Sequence, residues 1–98
     1  MKQFIDLVGG SGTEYRFRLW GPGEAHPPIA GNFAVVRVTG GGESEILGVG
    51  HVLDLSRLDR PSGDQTALYT RLNIASARRL AEHEDLASRH PVLRDAGP

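Results

Sequence analysis

The chain reads as an α+β domain: a small, mainly antiparallel sheet of three to four strands, one short helix and a long C-terminal helix. Three observations carry that reading. Residues 14–20 alternate between apolar and charged side chains, the period of a half-buried strand. Residues 32–39 are a β-branched run, and residues 45–52 return as a second strand after Gly40-Gly41-Gly42, a hairpin connection. Residues 75–90 have helical spacing and run into Pro91, which disfavours helical geometry at His90.

Taken in order, residues 1–13 end in Val8-Gly9-Gly10-Ser11-Gly12-Thr13, a turn cluster. It lacks the lysine and the helix start of a phosphate loop. In residues 14–20, Tyr15, Phe17 and Leu19 share one face, and Arg16 and Arg18 share the other. Aromatic and basic residues interleave here as they do on nucleic-acid-binding sheets, but the alternation assigns the aromatics to the core. Residues 21–28, with Gly21-Pro22-Gly23 and Pro27-Pro28, form a loop. The run Phe33-Ala34-Val35-Val36-Arg37-Val38 suits a strand covered on both faces.

In the return strand, Gly48 and Gly50 fall on one face, so something packs close there. Asp54 caps a short helix that Pro61 and Gly63 terminate. Residues 65–73 alternate again, with Leu68, Thr70, Leu72 and Ile74 expected inward and Tyr69 and Arg71 outward. On the last helix, Ala77, Leu80, Ala81, Glu84 and Ala87 form a stripe of mostly small residues, which lets a helix sit close to a sheet. The tail from Arg94 is expected to fray.

With 98 residues the chain makes a single domain, residues 1–98, with a modest core that a partner subunit would help. Without cysteine it has neither disulfides nor thiolate metal sites. No apolar run is long enough to cross a bilayer, and residues 1–8 lack a signal-peptide pattern, so cytoplasmic residence with no membrane partner is expected. The net charge of −1 does not advertise nucleic acid. Lys2 is the only lysine among eleven cationic residues, and arginine forks match phosphate geometry. His83 and His90 lie seven apart, about 10 Å along a helix axis, too far for one zinc ion to bridge.

Four short motifs, in order, resemble the GIY-YIG nuclease superfamily over residues 30–94, preceded by an extra strand at 14–20. Gly31-Asn32-Phe33 stands where that family has Gly-Ile-Tyr, and Gly48-Val49-Gly50 where it has Tyr-Ile-Gly. Asp54-Leu55 follows Gly50 at the family's offset, and Glu82 precedes Pro91 by nine. The resemblance implies phosphodiester hydrolysis with one Mg²⁺ or Mn²⁺ held by Glu82, an arginine for transition-state charge, and tyrosine hydroxyls at the nucleophile. Phe33 lacks a hydroxyl, Gly48 has no side chain, Leu58 falls where the arginine belongs, and Arg94 where an asparagine is common.

Three functions are left open. The first is a divergent GIY-YIG-like accessory module without nuclease activity, binding DNA, RNA or protein, with Arg57, Arg60 and Arg71 as cations for nucleic acid. The second is an active endonuclease with a rearranged site of Glu82, His51 as base, Arg57 and the Tyr69 hydroxyl. The third is a small interaction domain for a protein partner or a second copy.

Overall fold

The computed structural model describes residues 2–61, 63 and 65–93. Five strands form one curled antiparallel sheet: β1 (Phe4–Val8), β2 (Glu14–Leu19), β3 (Gly31–Val38), β4 (Ser44–Val52) and β5 (Thr66–Leu72). They lie in the order β1-β2-β5-β3-β4. A 3₁₀ turn, Leu55–Arg57, follows β4, and a single helix, α1 (Ser76–Ala87), follows β5. Arg94 and the rest of the tail lie outside the described residues.

This corrects the expected fold on two counts. The sheet has five strands rather than three or four, because Phe4–Val8, to which no element was assigned, pairs with β2 from Phe4↔Arg18 to Val8↔Glu14. Leu7, only 5% exposed, anchors β1 to the core, and Gly12 (φ +91°) allows the tight return into β2. The helix is also short, with twelve residues. It ends at Ala87, and the amides of Arg89 and His90 close the last turn on the Leu86 carbonyl. The chain then extends along β4: the Val49 amide donates to the Pro91 carbonyl, and the Leu93 amide to the Val49 carbonyl, both at 2.9 Å. Pro91 thus ends the helix and begins a short edge partner for β4.

Strand periodicity sorts the core into two sides. On the first, Leu7, Tyr15, Phe17, Ala34, Val36, Val49, Ala67 and Tyr69 pack with Leu86 of α1. On the second, Phe33, Val52, Leu55 and Leu68 pack beneath the 3₁₀ turn. β3 is therefore covered on both faces, as its β-branched run predicts. The glycines of β4 belong to the second side. A Cβ on Gly50 would strike the Phe33 ring, and one on Gly48 would strike Leu93, so side chains pack against both as expected.

Two orientations differ from expectation. On β5, Tyr69 is buried at 2% exposure while Leu72 and Ile74 are exposed. Sheet curl and the α1 layer cover the Tyr69 face, whereas the strand end at Leu72 projects beyond the core. On α1, Arg79 and Leu86 are the buried residues, and the small-residue stripe with Leu80 faces outward. The reason is a polar network that draws Arg79 and Glu82 inward. Asn73 Nδ2 donates to Asn32 Oδ1 and to Glu82 Oε1, both at 2.9 Å. Asn32 Nδ2 donates to the Arg79 carbonyl at 3.1 Å. Arg79 Nη1 donates to the carbonyls of Asn73 (3.1 Å) and Ile74 (2.9 Å). Buried polar groups must be paired, and here they pair with one another.

Candidate functional site

The residues expected to act together are divided between the two sides of the sheet. Glu82 lies on the α1 side, where its Oε1 accepts from Arg71 Nε at 2.8 Å and from Asn73 Nδ2. His51 is on the same side: it pairs with Asn32 across β3 and β4, and its ring meets His83 of α1. Tyr69 also faces the α1 side, but its hydroxyl donates to the Lys2 carbonyl at 2.7 Å, and burial pushes its pKa up. Gly31, Phe33, Gly48 and Gly50 belong to the opposite side, with the 3₁₀ turn that bears Arg57. Asp54 is the cap of that turn: its Oδ1 accepts from the Ser56 amide at 3.0 Å. Arg57 is largely exposed and 3.8 Å from Asp54 Oδ2. The glycine motifs and Glu82 therefore share no cleft.

The environment of Glu82 also fails to fit a divalent ion such as Mg²⁺ or Mn²⁺. Its Oε1 already serves an arginine and an amide, and the Arg71 guanidinium beside it repels a cation. Among the described residues no three His, Cys, Asp or Glu side chains cluster as a metal set. The carboxylate works instead as the acceptor that ties β5 to α1.

A different arrangement forms on the far side of the sheet from α1. The 3₁₀ turn covers only the β3–β4 half of that side. Over β1, β2 and the end of β5 lies a groove of about 360 Å³. Strand alternation builds its floor: Phe4 of β1 pairs with Arg18 of β2, and Arg18 with Thr70 of β5. The loop after β2 builds its wall with Trp20, His26 and Pro27.

The wall is held in place by local contacts. Trp20 Nε1 donates to the Glu24 carbonyl at 2.7 Å. Arg60 stacks on the Trp20 ring, 4.6 Å from its centroid, and donates to the Trp20 and Gly21 carbonyls. His26 also lies against the indole, at 4.9 Å between centroids. A carbonyl can only accept, so His26 Nδ1, 2.8 Å from the Pro27 carbonyl, carries the proton there. In the neutral ring Nε2 then accepts from the Thr70 hydroxyl, also at 2.8 Å. That leaves the Thr70 oxygen able to accept a further bond in the groove.

The groove's charges differ in how they are engaged. Arg16 is held by Asp6, Nε to Oδ1 at 3.0 Å and Nη2 to Oδ2 at 3.2 Å, and lies over the Phe4 ring. That guanidinium draws the Asp6 carboxyl below its usual range. Arg71 is committed to Glu82. Among the described residues Arg18 makes no ion pair, and it is exposed. Glu24 contributes the groove's carboxylate.

Of the cations expected to meet nucleic acid, Arg71 borders the groove with its guanidinium turned to Glu82 on the α1 side, Arg60 braces the wall, and Arg57 is outside it. Phe4, Arg16, Arg18, Trp20, His26 and Thr70 were not anticipated as a site. The signal was present in residues 15–19: alternation that sends the aromatics to the core must send the arginines to the opposite face. What it could not show is that Phe4 and Trp20 would join them from other segments. The chain matches no protein-family model, no curated protein and no solved structure.

Proposed function

We propose that the protein is a non-catalytic binding module that takes single-stranded nucleic acid in the groove over β1, β2 and β5. The observation that carries this reading is the convergence of Arg18 and Arg16 with Phe4 and Trp20 on one concavity. A nucleotide offers a phosphate and a flat apolar base. A guanidinium without a carboxylate partner suits the first, and aromatic walls suit the second. The volume of about 360 Å³ lies at the small end of ligand sites, which suits one nucleotide unit of a longer strand. With a net charge of −1 the chain exerts little long-range pull on a polyanion, so binding depends on local contacts.

Catalysis is not part of the proposal. Among the described residues no general base, metal-binding carboxylate and phosphate clamp meet at one place, and hydrolysis needs them within reach of one phosphorus atom.

Trp20 is the only tryptophan, so its fluorescence reports on the groove directly. Titrating single-stranded oligonucleotides at low salt is expected to change that emission, with affinity falling as salt rises. Arg18→Ala is expected to weaken binding about tenfold and to lower the salt slope by about 1. Unaltered Trp20 emission at saturating oligonucleotide and low salt would remove the proposal.

A further inference from the structure

On the α1 side, two imidazoles from different elements face each other. The rings of His51 (β4) and His83 (α1) have centroids 4.5 Å apart and planes tilted by 51°. The imidazole hydrogen bonds among the described residues belong to His26 and His90, so neither ring of this pair is tied to the protein. His83 Nδ1 is buried with no partner at all. An orphaned buried nitrogen is costly and uncommon, and each one asks for an explanation.

We propose that His51 and His83 form a two-imidazole site for a divalent transition-metal ion, Zn²⁺ or Ni²⁺, that clamps α1 to β4. Imidazole nitrogen suits these ions, unlike the Mg²⁺ expected at Glu82, which prefers oxygen ligands. The geometry is within reach. Two nitrogens on one tetrahedral ion stand about 3.3 Å apart at bond lengths near 2.0–2.1 Å. Ring centroids 4.5 Å apart leave the two imidazoles close enough for one ion to be shared once their nitrogens turn toward each other, and the terminal χ2 torsion of histidine is broad enough to allow that turn.

The electrostatics favour an available lone pair. Burial, and then the neighbouring His51, push the His83 pKa down, which favours the neutral ring that can offer a lone pair. Glu84, whose charge acts on His83 in the opposite direction, adds attraction for a cation. His51 is exposed, which leaves an entry path from solvent. Since the described residues provide no set of three His, Cys, Asp or Glu ligands, water completes the shell and the affinity is modest.

Thermal unfolding with ZnCl₂, NiCl₂ or MgCl₂ tests the site. A ligand that binds only the folded chain raises Tm. At about 1 mM Zn²⁺ or Ni²⁺ the expected rise is about 4 °C or more, with none from Mg²⁺. His51→Ala, a change at an exposed position, is expected to abolish the rise, and so is His83→Asn. Side-chain imidazole NMR of the unaltered chain should show the resonances of both rings shifting with Zn²⁺, a readout that needs no variant to fold. The proposal is overturned if neither ion raises Tm, if the rise survives His51→Ala, or if the resonances that move are those of His26 or His90.

Discussion

The two sides of the sheet use their charges in opposite ways. On the α1 side, Arg71, Arg79, Glu82, Asn32 and Asn73 are turned inward and engaged with one another. On the groove side, Arg18 is exposed and lacks a carboxylate partner among the described residues. The difference teaches where function should be sought in this chain. The family resemblance implied a metal at Glu82, and in the structure its carboxylate accepts from Arg71 and Asn73. Arg18 looked like an outward strand residue, yet it stands in a concavity lined by aromatic and cationic side chains.

The most disruptive way to break this contrast is to cut the fastened side. Arg79→Ala leaves the carbonyls of Asn73 and Ile74 without the donor they share. The expected cost is about 3 kcal/mol in urea unfolding. A loss below about 1 kcal/mol would mean that water or a neighbour replaces the guanidinium and that the network is not what holds α1.

The covered half of the groove side comes next. Gly50→Ala pushes a methyl into the Phe33 ring, which is 3% exposed and has little room to retreat. Overpacking of this kind costs about 2 kcal/mol, and Tm should fall accordingly. It should leave oligonucleotide binding unchanged, because neither Gly50 nor Phe33 lines the groove. A drop in affinity without a drop in Tm would show that the two halves of that face are not independent.

Arg18→Ala should do the reverse. The expected effect is a tenfold loss of affinity, about 1.4 kcal/mol, with unfolding stability within about 0.5 kcal/mol of the parent. Glu24→Gln sharpens the same point with the opposite sign. Removing the groove's carboxylate should strengthen anion binding about threefold at low salt, and the gain should fade as salt screens it. Equal affinity at low salt would place the phosphate elsewhere.

The smallest effect concerns the latch between the β1–β2 turn and α1. The Asp85 carboxylate accepts from Ser11 Oγ (2.6 Å), Tyr15 Oη (2.7 Å) and the Ser11 amide (2.9 Å). Those bonds, the Ser11 hydroxyl first, hold its pKa below the usual carboxylate value. A carboxyl with a depressed folded pKa adds stability above its unfolded value, and that stability is lost as pH falls through the folded one. Tyr15 behaves oppositely. Burial, and then Asp85, raise its pKa, so its contribution holds below about pH 10 and is lost as pH rises further. Asp85→Asn should therefore flatten the decline of Tm between about pH 4 and pH 2. An unchanged decline would assign acid sensitivity to other carboxylates.

Much of the architecture was legible in the residues. The alternation of residues 14–20, the hairpin strands about Gly40-Gly41-Gly42 and the Asp54 cap reappear close to where they were expected, whereas the C-terminal helix stops at Ala87, short of the proline. β1 was missed because five residues beside a glycine cluster carry too little periodicity to declare a strand without its partner. The inward face of α1 was misjudged for a related reason. Hydrophobic patterning favours the Ala77–Leu80–Ala81 stripe, and only the carbonyls of Asn73 and Ile74 and the side chain of Asn32 make an inward Arg79 favourable.

Local spacing alone determined which residues alternate, where the glycine turns fall and where the helix stops, because those rules depend on neighbours within a few positions. Which side each motif faces was decided only by the tertiary structure. The pairing of β5 between β2 and β3 brings Phe4, Arg18, Trp20 and Thr70 into one groove, and the packing of α1 on one face of β3 and β4 sets Glu82 opposite the face that Gly31, Gly48 and Gly50 line. Strand order arises from contacts between residues far apart in the chain, and no local periodicity encodes it.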